Sequence, residues 1–452
     1  MQSGANTGEA PVSMWKVAFA SFIGTAIEFY DFYIYGTAAA LVLGGVFFPE
    51  FASATGTLAA FATFAVAFFA RPLGGVVFGH YGDRLGRKSM LIFSLFLMGV
   101  ATFAIGLLPG YATLGIAAPI LLVILRFMQG FGLGGEWGGA VLLATEHATE
   151  GKRGLYSSFP QMGPAAGFLL SSGLFLVLTL SLTEAQFAAW GWRIPFLFSI
   201  FLVAIGLYVR VSISETPVFK RALETQTRAR VPFFDMIRTY PKVLLLSSGG
   251  MALTYVLFYT ITTFSLSYGT TELGLSNSTL LYCVMISVLV MGLTVPAAAT
   301  LSDRIGRRRT CLAGASLAMV WAFPMFWLIN SAEPVFITLA FTGGMVAFAV
   351  LYGPMGAFLP ELYGTRLRYS GASVSYNLGG VAGGALAPII AASLLAVTGA
   401  TWSVSLYILG MAVLSFGCVF LLTETYLTDI SGIRAEEKEL LAEDDQPAKG
   451  TA

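Results

Sequence analysis

Apolar segments long enough to cross a lipid bilayer recur along the whole chain, and they limit how it can fold more than any other feature. A helix needs about 20 mostly apolar residues to span the hydrocarbon core, and about twelve such segments are present. Only 11% of the 452 residues are charged, whereas a soluble domain carries about a quarter. The pattern predicts an all-α integral membrane protein. The expected spans are 15–44, 54–79, 89–108, 114–145, 155–181, 192–213, 241–269, 277–300, 310–330, 334–360, 369–396 and 402–423.

Basic residues between these segments predict the orientation, because cytoplasmic loops are enriched in Lys and Arg. They cluster after the second, fourth, sixth, eighth and tenth segments, which all lie on one side if the count is right. The opposite loops contain Glu50, Glu184, Glu272 and Glu333, with Arg193 as their one basic residue. Both termini are therefore expected in the cytoplasm. The first apolar segment is too long for a signal peptide, so we interpret it as a retained membrane helix.

Two loop motifs occur twice, which predicts two related halves of six helices each. The sequence GDRLGRK at 82–88 matches SDRIGRR at 302–308, an offset of 220 between Asp83 and Asp303. A Glu that precedes an Arg by seven residues also recurs, at 146 and 361, an offset of 215. Parallel repeats of this kind are a known transporter plan, with the substrate site between the halves. The predicted divisions are a first bundle at 1–213, a cytoplasmic linker at 214–240, a second bundle at 241–424 and an acidic cytoplasmic tail at 425–452.

Longer motifs give the chain a specific family resemblance. They are GTAIEFYDFYIYG (24–36), RPLGGVVFGHYGDRLGRK (71–88), LRFMQGFGLGGEWGGA (125–140), WGWRIPF (190–196), ETPVF (215–219) and RYSGAS (368–373). Together with the repeated loop, they resemble the metabolite:H⁺ symporter family of the major facilitator superfamily. The resemblance covers nearly the whole chain outside the two tails.

This resemblance implies the major facilitator fold and a function. The expected activity is proton-coupled uptake of a small organic acid, such as shikimate or α-ketoglutarate, by alternating access in a bacterial inner membrane. Symport of a zwitterionic solute such as proline or betaine is the alternative, because the same family contains such carriers. The expected partners are the substrate, protons and the lipid bilayer, with no cofactor besides the coupling proton, and the chain is expected to be a monomer.

The charged residues at the loop motifs are candidates for a cytoplasmic gate. We expect them to pair between helices when the carrier faces outward and to separate when it faces inward. The alternative is that the Arg residues only fix the topology, but this does not explain Asp83 and Asp303. The predicted gate residues are Asp83, Arg84, Arg87, Glu146 and Arg153 in the first half, and Asp303, Arg304, Arg307, Glu361 and Arg368 in the second.

Three carboxylates within the predicted spans are candidates for proton coupling. A charge at the bilayer centre costs about 2.5–3.5 kcal/mol, so such residues should face a cavity or a partner. Glu28 and Asp31 are three residues apart and share a helix face. Two nearby carboxylates in a low dielectric resist ionising together. Glu28, Asp31 and Glu136 are therefore predicted proton sites, although one of the first two could instead pair permanently with Arg126.

Arg126 is the predicted cation for an anionic substrate, because its planar fork matches a carboxylate. Arg71 is expected near the cytoplasmic end of the second helix, in a structural role. Polar and aromatic side chains within the spans are expected to complete the substrate site. They are Gln129, Tyr30, Tyr35, Trp137, Tyr255, Tyr259, Tyr352 and Asn377.

Other classes of function find little support in the sequence. The formal net charge is +1, which gives no basic face for nucleic acid. The three cysteines and two histidines have no metal-ligand spacing. The sequence contains no arrangement of a nucleophile with a general base that would predict an enzyme. A channel would not need two matching gate loops.

Overall fold

The computed structural model describes 14–51, 53–85, 87–134, 136–146, 148, 151–212, 232–364 and 367–427, with backbone alone in some stretches such as 79–85 and 87–89. Its regular structure is helical throughout these ranges. Each of the twelve predicted spans coincides with a helix, which we number α1 to α12. In the first half these are α1 (Met14–Ala38), α2 (Ser53–Leu85), α3 (Arg87–Leu107), α4 (Ala117–Leu133), α5 (Arg153–Ser181) and α6 (Arg193–Ser212).

The second half repeats the arrangement with six more helices. The two halves are joined through the predicted linker, of which the structure describes the short helix Pro232–Thr239. Residues 213–231 of the linker region and 428–452 of the predicted tail lie outside the described part. The second-half helices are α7 (Pro241–Tyr259), α8 (Asn277–Ile305), α9 (Arg307–Ile329), α10 (Pro334–Glu361), α11 (Arg368–Gly379) and α12 (Trp402–Leu421).

Several helices continue beyond these bounds after a change of winding. A π-helical segment, Ala39–Leu43, extends α1, and a matching one, Thr260–Phe264, extends α7. A third, Gly380–Ala385, joins α11 to Ala387–Thr398. The remaining short pieces are Gly44–Phe47, Tyr111–Leu114, Glu136–Glu146, Glu184–Gln186, Phe187–Gly191 and Ser265–Thr271.

Length and hydropathy of the described helices agree with a multi-pass membrane protein. Ten of them are long and apolar enough to cross a bilayer. An eleventh span is formed by Glu184–Gly191 and Arg193–Tyr208, which meet at a bend of 45°. The apolar part of α3, Ile92–Leu107, is shorter.

Helix α2 is longer than the hydropathy pattern predicted. The expected span ended at 79, but the helix continues to Leu85 and includes the start of the loop motif. Arg71 is therefore the nineteenth of its 33 residues, in the middle of the helix. The expected position of Arg71 near the cytoplasmic end is wrong.

Glycines bring α2 and α4 into backbone contact. A Cβ atom added at Gly130 would lie 2.0 Å from the carbonyl oxygen of Ala67, and one at Gly134 would lie 2.0 Å from that of Arg71. Small residues allow such close approach between membrane helices. These contacts fix the height of Arg71 relative to α4.

The two halves contact each other at several levels of the bundle. Near the loop motifs, an added Cβ at Gly154 of α5 would lie 2.4 Å from the carbonyl oxygen of Ala299 in α8. In the middle of the bundle, the rings of Tyr33 and Phe258 stack with centroids 4.9 Å apart. The interface therefore brings side chains of α1, α5, α7 and α8 together.

We predict that Gly130→Ala destabilises the protein. Its Cβ would overlap the α2 backbone, and overpacking of this kind costs about 1–3 kcal/mol. The matched control is Gly410→Ala in α12, where an added Cβ meets no atom within 4 Å and the better helix former should be neutral or stabilising. Thermal unfolding of the purified protein in detergent measures both. Equal unfolding temperatures for the two variants would contradict the prediction.

Candidate functional site

Aromatic side chains from both halves meet at the centre of the bundle. Trp137 stacks on Tyr376 with centroids 3.9 Å apart and planes 9° apart. Tyr259 meets Phe64 at 5.1 Å and Phe68 at 5.4 Å, edge to face. This arrangement surrounds the charged residues described below with ring faces. The aromatic cluster consists of Phe32, Tyr33, Phe64, Phe68 and Trp137 from the first half and Tyr255, Phe258, Tyr259 and Tyr376 from the second.

Arg71 lies within this cluster and is 1% exposed. The carbon of its guanidinium is 4.0 Å from the centroid of Phe32 and 4.4 Å from that of Phe68. These two rings are nearly perpendicular, at 87°, so the cation occupies the corner between their faces. Tyr259 of the second half meets the ring of Phe68 beside it, with centroids 5.4 Å apart. The predicted structural role of Arg71 rested on a helix that ended at 79, whereas α2 continues to Leu85 and places this residue at the centre.

Arg126 is also fully buried, but its contacts lie within the first half. Its guanidinium carbon lies 3.8 Å from the centroid of Tyr35. Nη1 donates to Oε1 of Gln129, and Nη2 donates to the carbonyl oxygen of Phe64 at 3.3 Å. Gln129 in turn donates to the backbone carbonyl of Asp31 at 2.7 Å. The predicted pair of Arg126 and Gln129 is thus brought together and attached to α1 and α2.

The three predicted proton sites are all buried. Glu28, Asp31 and Glu136 are 3%, 0% and 5% exposed. Neither carboxylate oxygen of Asp31 has a hydrogen-bond partner among the residues that the structure describes. The permanent pairing of Asp31 with Arg126, considered above as an alternative, is therefore not what the geometry shows. An ionised carboxylate in such surroundings is costly, and a proton removes that cost.

Other predicted substrate residues join the two halves directly. The indole nitrogen of Trp137 donates to Gln161 at 2.8 Å, and Gln161 donates to the carbonyl oxygen of Tyr352 at 3.0 Å. Asn377 donates to the carbonyl oxygen of Gly134 at 2.8 Å. These bonds connect α4 and α5 to α10 and α11. Gln161, which the sequence analysis did not select, is the central member of this connection.

Two predicted residues lie apart from the inter-half contacts. The hydroxyl of Tyr30 donates to the carbonyl oxygen of Pro195 at 2.9 Å, so this side chain packs against α6. The hydroxyl of Tyr35 is hydrogen-bonded to Thr63 in α2. Tyr35 nevertheless lies near the site, because its ring packs against the guanidinium of Arg126.

The gate residues of the second half form a charge network that reaches the first half. Arg307 is 2.7 Å from Asp303 and 3.4 Å from Glu361. The Asp303 carboxylate also accepts hydrogen bonds from the backbone amides of Gly154 and Leu155, at 2.8 and 3.0 Å. It thereby caps the N-terminus of α5, where a negative charge is favourable.

A second contact of this network crosses between the halves. Arg153 at the start of α5 lies 3.9 Å from Glu361 at the end of α10. Arg368 is buried at the start of α11, whereas Arg304 is exposed. The structure thus brings Asp303, Arg307 and Glu361 of the second half together, and Arg153, assigned from the sequence to the first-half gate, pairs with Glu361 across the halves.

Glu424 completes the network and was missed from the sequence. Its Oε1 accepts from the backbone amides of Arg307 and Arg308, at 2.8 and 3.3 Å, at the N-terminus of α9. Gly306 precedes this turn with φ of 111°, a conformation that glycine adopts readily. The neighbouring hydroxyl of Thr425 donates to Glu361 at 2.7 Å. The signal in the sequence is an acidic residue directly after the last span.

The matching gate in the first half falls outside what can be described. The side chains of Asp83, Arg84, Arg87 and Glu146 are beyond the described part of the structure. Their pairing with Arg153 stays a prediction.

Comparison with known proteins gives the site its context. A sequence model of the Major Facilitator Superfamily matches residues 21–385. The chain is 47% identical over 415 residues to the inner membrane metabolite transport protein YhjE of Escherichia coli K12, covering 91% of this chain and 94% of that protein. It is 42% identical over 408 residues to the shikimate transporter of the same organism, covering 88% and 92%.

A further relative and a solved structure extend this comparison. The chain is 37% identical over 389 residues to the proline/betaine transporter of E. coli K12, covering 83% of this chain and 77% of that protein. The xylose transporter XylE of E. coli, in a partially occluded inward-open conformation, matches with a TM-score of 0.73 over 93% of this chain and 100% of that chain. With 18% sequence identity, this likeness concerns the fold alone.

We predict that Asp303→Asn opens the bundle at the end that carries the loop motifs. Without the carboxylate charge, the two hydrogen bonds from the α5 amides and the ion pair with Arg307 are weaker. Hydrogen bonds to a charged group are each worth about 1.5–3 kcal/mol. A cysteine introduced at the buried Ser157 of α5, with the three native cysteines replaced, should react with N-ethylmaleimide at least about tenfold faster. Arg309→Gln, an exposed change near the same turn, is the control. An unchanged alkylation rate in Asp303→Asn would show that the cap does not hold the halves together.

Proposed function

Because this chain belongs to the major facilitator superfamily, we propose that it takes up a small organic acid together with protons by alternating access. That it is a multi-pass membrane transporter of metabolites, and not an enzyme, follows from its family and its relatives. The proposal concerns the substrate class, the coupling ion and the direction of transport.

One observation carries the proposal: a buried carboxylate without hydrogen-bond partners directly precedes, in α1, the ring that two buried arginines share. The unpartnered group is Asp31, and the arginines are Arg71 and Arg126. Both guanidinium carbons lie within 5.1 Å of the centroid of Phe32, the residue after Asp31. A proton on Asp31 would remove the cost of an unpaired buried charge, and the positive charge of the arginines would remain for a substrate anion.

This arrangement suggests an order of events. A proton neutralises Asp31 while the carrier faces outward, and the carboxylate of the substrate then enters the field of the arginines. The halves rock, the network of Asp303, Arg307 and Glu361 separates from α5, and substrate and proton leave on the opposite side. The membrane potential assists if protons exceed substrate charges, by about 2.3 kcal/mol per charge and 100 mV.

Relatives and loop charges support the proposed location. The YhjE relative is named an inner membrane protein, and the basic loops follow the positive-inside rule. We therefore propose a bacterial inner membrane, both termini in the cytoplasm and a monomeric carrier. The charge network at 302–308 would then face the cytoplasm.

Symport of a zwitterion is the second candidate. The proline/betaine relative and the aromatic cluster both favour it, since ring faces attract quaternary ammonium groups. In this chain, however, Arg71 already lies against the rings of Phe32 and Phe68. That positive charge favours a net anion over a zwitterion.

Uptake into proteoliposomes tests the substrate class and the coupling. With an imposed inward proton gradient, we expect accumulation of at least one of shikimate, 2-oxoglutarate and citrate, with little uptake of betaine or proline. Collapse of the gradient with an ionophore should abolish the accumulation. Uptake of betaine alone would establish the zwitterion function, and uptake indifferent to the gradient would exclude symport.

Asp31→Asn tests the proton site separately from substrate binding. The amide cannot release or take up a proton, so gradient-driven accumulation should fall to the level of empty liposomes. Counterflow exchange of the same substrate, which needs no net proton movement, should continue. Glu184→Gln, an exposed carboxylate at a helix start, serves as the control and should retain both activities. Gradient-driven accumulation by Asp31→Asn would remove Asp31 from the coupling step.

A further inference from the structure

We propose that the carboxylate of the substrate binds to Arg71, and that Arg126 positions the site without contacting the substrate. This assignment rests on the proposed function, because it presupposes an anionic substrate. It differs from the expectation drawn from the sequence, in which Arg126 was the binding cation.

The two guanidinium groups differ in their hydrogen bonding. On Arg126, both terminal nitrogens already donate, to Gln129 and to the carbonyl oxygen of Phe64, and Nε alone has no partner among the described residues. On Arg71, Nε and Nη2 have no hydrogen-bond partner among the described residues. These two nitrogens lie on the same edge of the guanidinium plane and together form the fork that a carboxylate can match with two parallel bonds.

The deep burial of Arg71 makes unpaired donors on its guanidinium costly. Arg71 is 1% exposed, and hydrogen-bonding groups this deeply buried are normally satisfied. The two nearly perpendicular rings of Phe32 and Phe68 stabilise the charge, but they offer no oxygen acceptor to its N–H groups. A carboxylate supplies both the acceptors and the opposite charge.

The two arginines also differ in where they lie relative to the two halves. The described partners of Arg126 belong to α1, α2 and α4 of the first half. Phe68, whose ring packs against Arg71, meets two rings of α7, those of Tyr259 at 5.4 Å and Tyr255 at 6.0 Å. In alternating access the substrate lies between the halves. Arg71 is therefore the arginine that a substrate can reach from either side.

Arg126 then has a different task. It ties Gln129 to Tyr35, and Gln129 holds the backbone carbonyl of Asp31 at 2.7 Å. Through these contacts it fixes α1 against α4, and it thereby keeps the ring of Phe32 in place beside Arg71. It is a positioning residue.

The test compares an acid with its uncharged ester. Binding of shikimate and methyl shikimate, and of 2-oxoglutarate and its dimethyl ester, is measured by calorimetry on the purified full-length protein. We expect the wild type to prefer at least one acid over its ester. Arg71→Gln should reduce that preference about tenfold to hundredfold, the effect of losing hydrogen bonds to a charged group. Arg71→Lys keeps the charge without the fork and should retain an intermediate preference.

Two further variants separate recognition from stability. Arg126→Gln should lower the unfolding temperature while preserving the preference for the acid. Arg193→Gln is the matched control, because Arg193 also packs on a ring, that of Trp192 at 4.5 Å, and donates to two backbone carbonyls away from the cluster. It should leave the preference unchanged.

The outcomes distinguish this assignment from the proposed function. A full preference for the acid in both Arg71 variants would overturn the assignment, as would loss of the preference in Arg126→Gln with Arg71 intact. If proton-driven uptake of carboxylates persisted in those cases, the proposed function would stand without the assignment of the substrate carboxylate to Arg71. If the wild type neither bound nor transported any carboxylate, both would fall.

Discussion

Two guanidinium groups buried among membrane helices determine how the centre of this protein is built. Arginine stays charged in proteins, and a charge inside the bilayer is costly unless its surroundings replace water. Here the replacement consists of ring faces and carbonyl oxygens: Phe32 and Phe68 around Arg71, and Tyr35 with the Phe64 carbonyl around Arg126. The aromatic side chains of α1 and α2 are thus needed to stabilise the two buried guanidinium groups. Phe68 and Phe64 also provide the surfaces on which second-half tyrosines pack, so stabilisation of the cations and contact between the halves use the same rings.

Helix α5 connects this centre with the charged end of the bundle. Its first amides, including that of Gly154, donate to Asp303 of the second half. Two turns further on, Gln161 bonds both Trp137 and the backbone of Tyr352. The bond from Gly154 to Asp303 and the bond from Gln161 to Tyr352 both join the two halves, and both donors belong to α5. A displacement of α5 from Asp303 therefore also strains the hydrogen bonds beside the aromatic cluster.

Much of the fold could be predicted because hydropathy and loop charge are local properties of the sequence. All twelve spans coincide with helices, and the proximity of Arg126 to Gln129 followed from their spacing of one turn. The orientation of side chains could not be predicted in the same way. Tyr30 faces α6 whereas Tyr33, three residues later, faces the second half, and a helix that is apolar on all sides carries no pattern to distinguish these faces. The role of Glu424 differs again: its place directly after the last span is visible in the sequence, but its partners are backbone amides, which carry no residue identity.

The two π-helical segments at Ala39–Leu43 and Thr260–Phe264 are separated by 221 positions, one more than the loop motifs. A π-turn holds an additional residue within an otherwise α-helical stretch and is rare. Its presence at corresponding places in α1 and α7 has a consequence for the history of the chain. The simplest course is that the extra residue was already present in a single six-helix ancestor, before duplication joined two copies. The charged residues Arg71, Arg126 and Asp31, by contrast, all belong to one copy: the two copies share this irregular backbone while the chemistry is confined to one.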